Sequence, residues 1–179
     1  MKTVAILTAA LVLVAIGTPT WAAKTVPKFR LNNVDGKKIT FDDLAAKYEL
    51  MAFVFWSTGC APCKDELIEI NKFAGDYEGF GVVAVSTDSA RTSSQVKPYF
   101  KGQGFKFDTL LDVDGELVRA LGIPGNPYAL LVTAKGDVIW EHSGYRKGDE
   151  RKMQAEIEKY FAEPEPEPGP GPDDVTEEE

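Results

Sequence analysis

Sulfur and imidazole are scarce in this chain. Its 179 residues include two cysteines, one histidine and three methionines. The cysteines stand in Cys60-Ala61-Pro62-Cys63, too close together to staple distant parts of a fold, so a structural disulfide framework is excluded. A zinc site built on the pair would need two more ligands, and His142 is the lone histidine. No cysteine lies in the first 22 residues, which rules out a lipid-anchored N-terminus. A basic stripe is missing as well. Eight of the 28 acidic residues lie from Glu163 onward, where there is no base, leaving 20 acids against 19 bases between Ala23 and Ala162. The net charge of −8 therefore belongs mostly to the tail, and the body offers nucleic acid no electrostatic footprint. There are no internal repeats. The longest apolar run, Val4 to Ile16, is shorter than the roughly 20 residues of a bilayer span.

That run has the form of a targeting segment. Lys2 gives a positive start, Gly17 and Pro19 end the apolar stretch, and Thr20-Trp21-Ala22 offers small residues before a cut. Residues 1–22 are expected to be a signal peptide cleaved after Ala22, with an uncleaved membrane anchor as the alternative. Either reading exports the domain, to the periplasm in a bacterium, where dithiol/disulfide chemistry has a use. Residues 23–162 then form one domain with a real core. From Glu163 to Pro172, proline recurs at every second position between glutamates and glycines, so residues 163–179 should form a disordered acidic tail. It serves either solubility or the docking of a basic partner.

Along the body, Phe29–Asn32 and Lys38–Phe41 flank Asp35-Gly36 as a hairpin. Asp42 or Asp43 is expected to cap a short helix through Lys47. Leu50–Trp56 is continuous, apolar and uncharged, as in a central strand covered on both faces. A helix runs from the cysteine pair to about Gly75, and Phe80–Ser86 is a second buried strand. Thr92–Lys101 reads as helix with Pro98 as a flaw near its end, Phe107–Leu111 as strand and Gly115–Leu121 as a short helix. Tyr128–Thr133 and Asp137–Ser143 form a hairpin through Ala134-Lys135-Gly136. Glu150–Phe161 closes the domain as an amphipathic helix with Met153, Ile157, Tyr160 and Phe161 on its apolar side. Alternating strands and helices make a three-layer α/β domain with a mixed central sheet.

A CxxC pair between a buried strand and a helix is the setting of a redox-active dithiol. Cys60, at the helix N-terminus, is the candidate nucleophile, because unpaired amides and the helix dipole favour its thiolate. Cys63, nearly a turn further in, is the candidate resolving thiol. Pro62 costs little there, since the donor it lacks has no partner at that place. Glu66 shares a helix face with Cys63 and would serve as its base if burial raises its pKa; the plainer reading is an exposed helix glutamate. His142 is given no role.

Three stretches resemble the thioredoxin superfamily, and within it the exported TlpA/ResA-like thiol-disulfide oxidoreductases. Phe55-Trp56-Ser57-Thr58-Gly59-Cys60-Ala61-Pro62-Cys63-Lys64-Asp65-Glu66 is similar to the family's FWATWCxPCxxE pattern. Val82-Val83-Ala84-Val85-Ser86-Thr87-Asp88, with the helix and strand after it, resembles the insertion that separates this branch from plain thioredoxin. Leu121–Val132 with Lys135–Ile139 is similar to GVxGxPTxFLIDxxGxI. The resemblance implies a thioredoxin-like α/β/α fold with an N-terminal hairpin and an extra helix-strand insertion. It implies no cofactor and no metal, and a monomer is expected. It makes Pro127 the cis-proline that presents backbone to an extended substrate, with Pro124 as the competing candidate, places Asn126 in the substrate groove and Trp56 beside the site, and supports Glu66 as a base.

Three positions depart from the pattern. Gly59 replaces an aromatic residue, Val54 stands where thioredoxin has a buried aspartate, and Tyr128 replaces a threonine. The expected function is an exported reductase of disulfides in other exported proteins, apocytochrome c among those the resemblance implies, re-reduced by a membrane thiol electron donor. An oxidant or isomerase on the same site, a copper chaperone of the same fold, a thiol peroxidase and a binding module with a vestigial pair remain the alternatives.

Overall fold

The computed structural model describes residues 24–162; the expected signal segment and the acidic tail lie outside them. The first hairpin pairs β1 (Arg30–Asn33) with β2 (Lys38–Thr40). The Asn33 side chain closes its turn by accepting from the amides of Asp35 and Lys37 at 3.0 and 2.9 Å, and Gly36 takes the positive φ of 79° that the turn demands. Helix α1 (Phe41–Ala45) follows directly. Its N-cap is Thr40, not Asp42 or Asp43, and it stops two residues short of Lys47. The Thr40 hydroxyl accepts from the Asp43 amide while the Asp43 carboxylate accepts from the Thr40 amide, a reciprocal capping box. A threonine can end a strand and start a helix in one extended residue, which is why the helix begins so early.

Next come β3 (Leu50–Trp56), α2 (Ala61–Ile70), β4 (Phe80–Ser86), a 3-10 turn (Ser93–Gln95), α3 (Val96–Gln103), β5 (Asp108–Leu111), α4 (Glu116–Leu121), β6 (Tyr128–Thr133), β7 (Val138–Ser143) and α5 (Glu150–Ala162). Helix α2 ends five residues before Gly75. Beyond Ile70 the bonds tighten, with the amides of Lys72 and Phe73 reaching carbonyls three residues back. Pro98 is the third residue of α3, inside the first turn, where its missing donor is of no consequence. The expected flaw near the helix end is thus a feature of its start, because the stretch before Val96 is 3-10.

The sheet has the order β2-β1-β5-β4-β3-β6-β7. Strands β3, β4 and β5 are parallel, and β1, β2, β6 and β7 join antiparallel. All seven residues of β3 and of β4 are buried, as strands covered on both faces must be. On one face Leu50, Ala52, Val54 and Trp56 pack with Leu67 and Ile70 of α2, Val96 and Phe100 of α3, and Met153 and Ile157 of α5. On the other, Met51, Phe53 and Phe55 pack with Phe41 and Leu44 of α1 and Leu117 and Leu121 of α4. This is the thioredoxin-like three-layer arrangement, with α3 and β5 as the inserted helix-strand unit.

Gly81 in β4 makes room for the Tyr48 ring: a Cβ there would lie 2.4 Å from it. The ring cannot swing freely, because the Tyr48 hydroxyl donates to Asp108 at 2.7 Å. Gly81→Ala is expected to lower stability by about 1–3 kcal/mol through overpacking, read as a lower urea midpoint. An unchanged midpoint would show that the ring moves aside at no cost.

Candidate active site

Strand β3 delivers the site. Its last residue, Trp56, leads into a turn closed by the Cys60 amide donating to the Ser57 carbonyl at 3.0 Å, and Cys60 then caps α2. Cys60 is extended (φ −93°, ψ 102°), and its Sγ accepts from the Cys63 amide at 3.3 Å, so the sulfur itself takes up an unpaired donor of the first turn. Pro62 sits in that turn. Cys60 and Cys63 are joined by a disulfide, with Cα atoms 5.3 Å apart. Cys60 is half-buried and Cys63 fully buried. Gly59 is exposed, and a Cβ placed there would meet nothing within 4 Å, so the approach to Cys60 is open on that side.

Glu66 is buried on the same face of α2 as Cys63, Leu67 and Ile70. It is not the exposed helix glutamate of the plainer reading. Burial, reinforced by the negative charge of Asp149, pushes its pKa up to about 8. Its Oε2 finds no hydrogen-bond partner among the described residues. Val54 is fully buried on this same side of β3, so the carboxylate next to the dithiol comes from the helix and not from the strand. His142 lies 3.4 Å from Asp149 and stacks on Trp140.

Trp56 is wholly buried among Tyr99 and Phe100, with ring centroids 5.4 and 5.2 Å away, in the core cluster that also holds Cys63, so its side chain packs beside the site as core and exposes no surface. Pro127 is buried, Pro124 and Asn126 are exposed, and among the described residues the Asn126–Pro127 bond is the cis peptide. The Asn126 side-chain Nδ2 donates to the Thr87 hydroxyl at 2.6 Å, and Thr87 donates from its backbone amide to the Trp56 carbonyl at 2.8 Å. The end of β4 thereby ties the proline loop to the strand that carries the cysteines. Tyr128 is buried and donates to Glu141 at 2.8 Å, and burial pushes its pKa up to about 12.

Sequence reasoning did not single out Thr58, Thr87 or Asp88. Asp88 is buried and accepts from the Thr58 amide and the Ser86 hydroxyl, each at 2.9 Å, and from the Thr58 hydroxyl. Burial alone would raise its pKa, but these donors outweigh it and hold the carboxyl below its usual range. The available signal was three polar residues, Ser86-Thr87-Asp88, ending an apolar strand at the carboxyl edge of a parallel sheet, where sites of α/β folds gather.

A half-exposed sulfur at a helix N-terminus, a buried sulfur one turn inward and a protonatable carboxyl beside it define a thioredoxin-like dithiol/disulfide site. Residues 22–141 match the AhpC/TSA family, and the chain belongs to that family as one of its thioredoxin-like thiol-disulfide oxidoreductases. It is 32% identical over 133 residues to the thiol-disulfide oxidoreductase ResA of Bacillus thuringiensis subsp. konkukian, covering 74% of this chain and 73% of that one. A thioredoxin-like protein from Porphyromonas gingivalis superposes with a TM-score of 0.65 at 27% identity, over 76% of this chain and 92% of that one. StoA of Bacillus subtilis shares the fold, with a TM-score of 0.59 at 24% identity over 74% and 98% of the two chains.

The raised pKa of Glu66 makes stability depend on pH. The folded state holds a proton on Glu66 that the unfolded chain gives up near its ordinary value, so this contribution is complete below the unfolded pKa of 4.5 and is lost as pH rises through about 8. The unfolding free energy of the wild type, read from urea denaturation, should fall across that window by about a few kcal/mol, and Glu66→Gln should flatten the fall. Equal slopes in the two proteins would show that Glu66 is not buried in its neutral form.

Proposed function

We propose that the chain is an exported protein-disulfide reductase in which Cys60 attacks, Cys63 resolves and Glu66 takes the Cys63 proton. The observation that carries this reading is the asymmetry of the pair, with Cys60 reachable at the helix N-terminus and Cys63 buried beside a carboxyl whose pKa lies in the neutral range. In the reduced protein the Cys60 thiolate attacks one sulfur of a partner disulfide. The partner's S–S bond breaks, its second sulfur leaves as a thiolate, and a mixed disulfide forms. Glu66 acts in the ionised form, whose share grows as pH approaches about 8: Cys63 passes its proton to that carboxylate and attacks the Cys60 sulfur, releasing the partner's other thiolate. Two electrons have then moved to the partner, and Cys60–Cys63 is the disulfide that the structure contains.

Asn126 and Pro127 would receive the partner's extended backbone beside Cys60. The substrates inferred are disulfides of other exported proteins, apocytochrome c among them. Re-reduction requires a membrane thiol donor, and the likeness to the ResA-like branch supports both inferences. Among the described residues no helix is long and apolar enough to cross a membrane.

The deciding measurement is the reduction potential of the couple on protein lacking residues 1–22. A value near or below about −250 mV is expected of a reductant, and one near about −120 mV would make the protein an oxidant instead. The two cysteines should also separate kinetically. Cys63→Ser should accumulate the mixed disulfide with a model substrate, whereas Cys60→Ser should form none. Glu66→Gln should slow resolution on the order of 10²-fold while leaving the first attack unchanged. Equal slowing of both steps would remove Glu66 from its role as base.

A further inference from the structure

The turn that carries Cys60 is held by something other than its own backbone. Thr58 is the second residue of the Ser57–Cys60 turn, and both its amide and its hydroxyl donate to the Asp88 carboxylate, which lies 5% exposed at the end of β4. The carboxylate also accepts from the Ser86 hydroxyl, and the Asp88 amide donates back to Ser86 Oγ at 3.1 Å. All of these donors are neutral, so the site holds a buried negative charge satisfied by dipoles and not by a cation. Lys64, on α2, lies over the Tyr99 ring at 5.0 Å.

Capping alone does not account for this arrangement. Asp112 is buried in a comparable way, and it accepts from the Leu117 and Val118 amides at the start of α4. Asp88 caps no helix; its bonds go to the turn before the nucleophile and to the strand paired with β3. We propose that Asp88 is a positioning residue of the dithiol site, fixing the Ser57–Cys60 turn and placing a permanent negative charge behind it that keeps Cys60 less ionised than the helix N-terminus alone would.

The consequence is directional. Whatever disfavours the thiolate disfavours the reduced state of the pair, and so makes the couple more reducing. This inference rests on the reductase reading and supplies a residue that sets the direction of that chemistry. The carboxylate is bonded to the amide and the hydroxyl of Thr58, two residues before Cys60 in the same turn, and its field reaches the sulfur through an interior of intermediate dielectric.

The test uses the reduced protein and reads the pH profile of Cys60 alkylation by iodoacetamide, alongside equilibrium with glutathione. Asp88→Asn removes the charge and keeps the shape. It should lower the midpoint of the alkylation profile by about half a pH unit to one, and make the disulfide more readily reduced by glutathione, by roughly 3- to 10-fold. Thr58→Val keeps the charge and the amide donor but removes one hydroxyl from the carboxylate. It should move the midpoint the other way, by a few tenths of a pH unit. A merely structural Asp88 would lower the melting temperature in both variants without moving either midpoint, and that result would overturn the proposal. If Asp88→Asn does not fold, the upward shift in Thr58→Val supports the proposal and an unmoved midpoint overturns it. Alkylation needs no partner disulfide, so a wild type without a reversible couple would sink the reductase reading while leaving the effect of Asp88 on Cys60 to be measured.

Discussion

Strand β3 must be buried on both faces, and the position of every reactive group follows from that. Its seven residues pair in register with β4 from Leu50–Phe80 to Trp56–Ser86, and with β6 from Leu50–Thr133 to Phe55–Tyr128. The first pairing brings the end of β4 beside the start of the cysteine turn. The second brings Tyr128, and with it the preceding proline, to the same end of the sheet. A slip of one residue would turn Val54 and Trp56 onto the α1/α4 side and exchange every side chain between the two cores. The strand therefore fixes not only the cysteines but also the two loops that surround them.

Against this rigid background the site contains two buried carboxyls treated in opposite ways. Asp88 is surrounded by donors and stays ionised. Glu66, with one oxygen unpartnered among the described residues and Asp149 as its charged neighbour, is pushed toward the neutral acid. Both are almost inaccessible to solvent, but Asp88 is bonded to donors that offset its burial, whereas burial and the Asp149 charge act on Glu66 with an oxygen left unbonded among the described residues. One carboxyl is thus held toward its charged form and the other toward its neutral one.

Much of this was legible in the sequence, for identifiable reasons. Leu50–Trp56 and Phe80–Ser86 are unbroken apolar runs, and their limits in the structure are those expected of them. The CxxC spacing located the disulfide. Local choices were harder. Thr40 competed with two aspartates for the cap of α1, and only the reciprocal bonds with Asp43 decide between them. Pro98 reads as a helix breaker unless the 3-10 turn ahead of it is known. Trp56 stands next to the site in sequence, but strand alternation turns its side chain inward. Asp88 was missed because its partner Thr58 is 30 residues away in the chain, and hydrogen bonds across strands leave no periodic trace.

Gly59 leaves the nucleophile without a wall on one side, since nothing stands within 4 Å of where its Cβ would be. Residue 59 is a place where a side chain could be grafted without disturbing the core, because it would meet open space beside Cys60 before it met the protein.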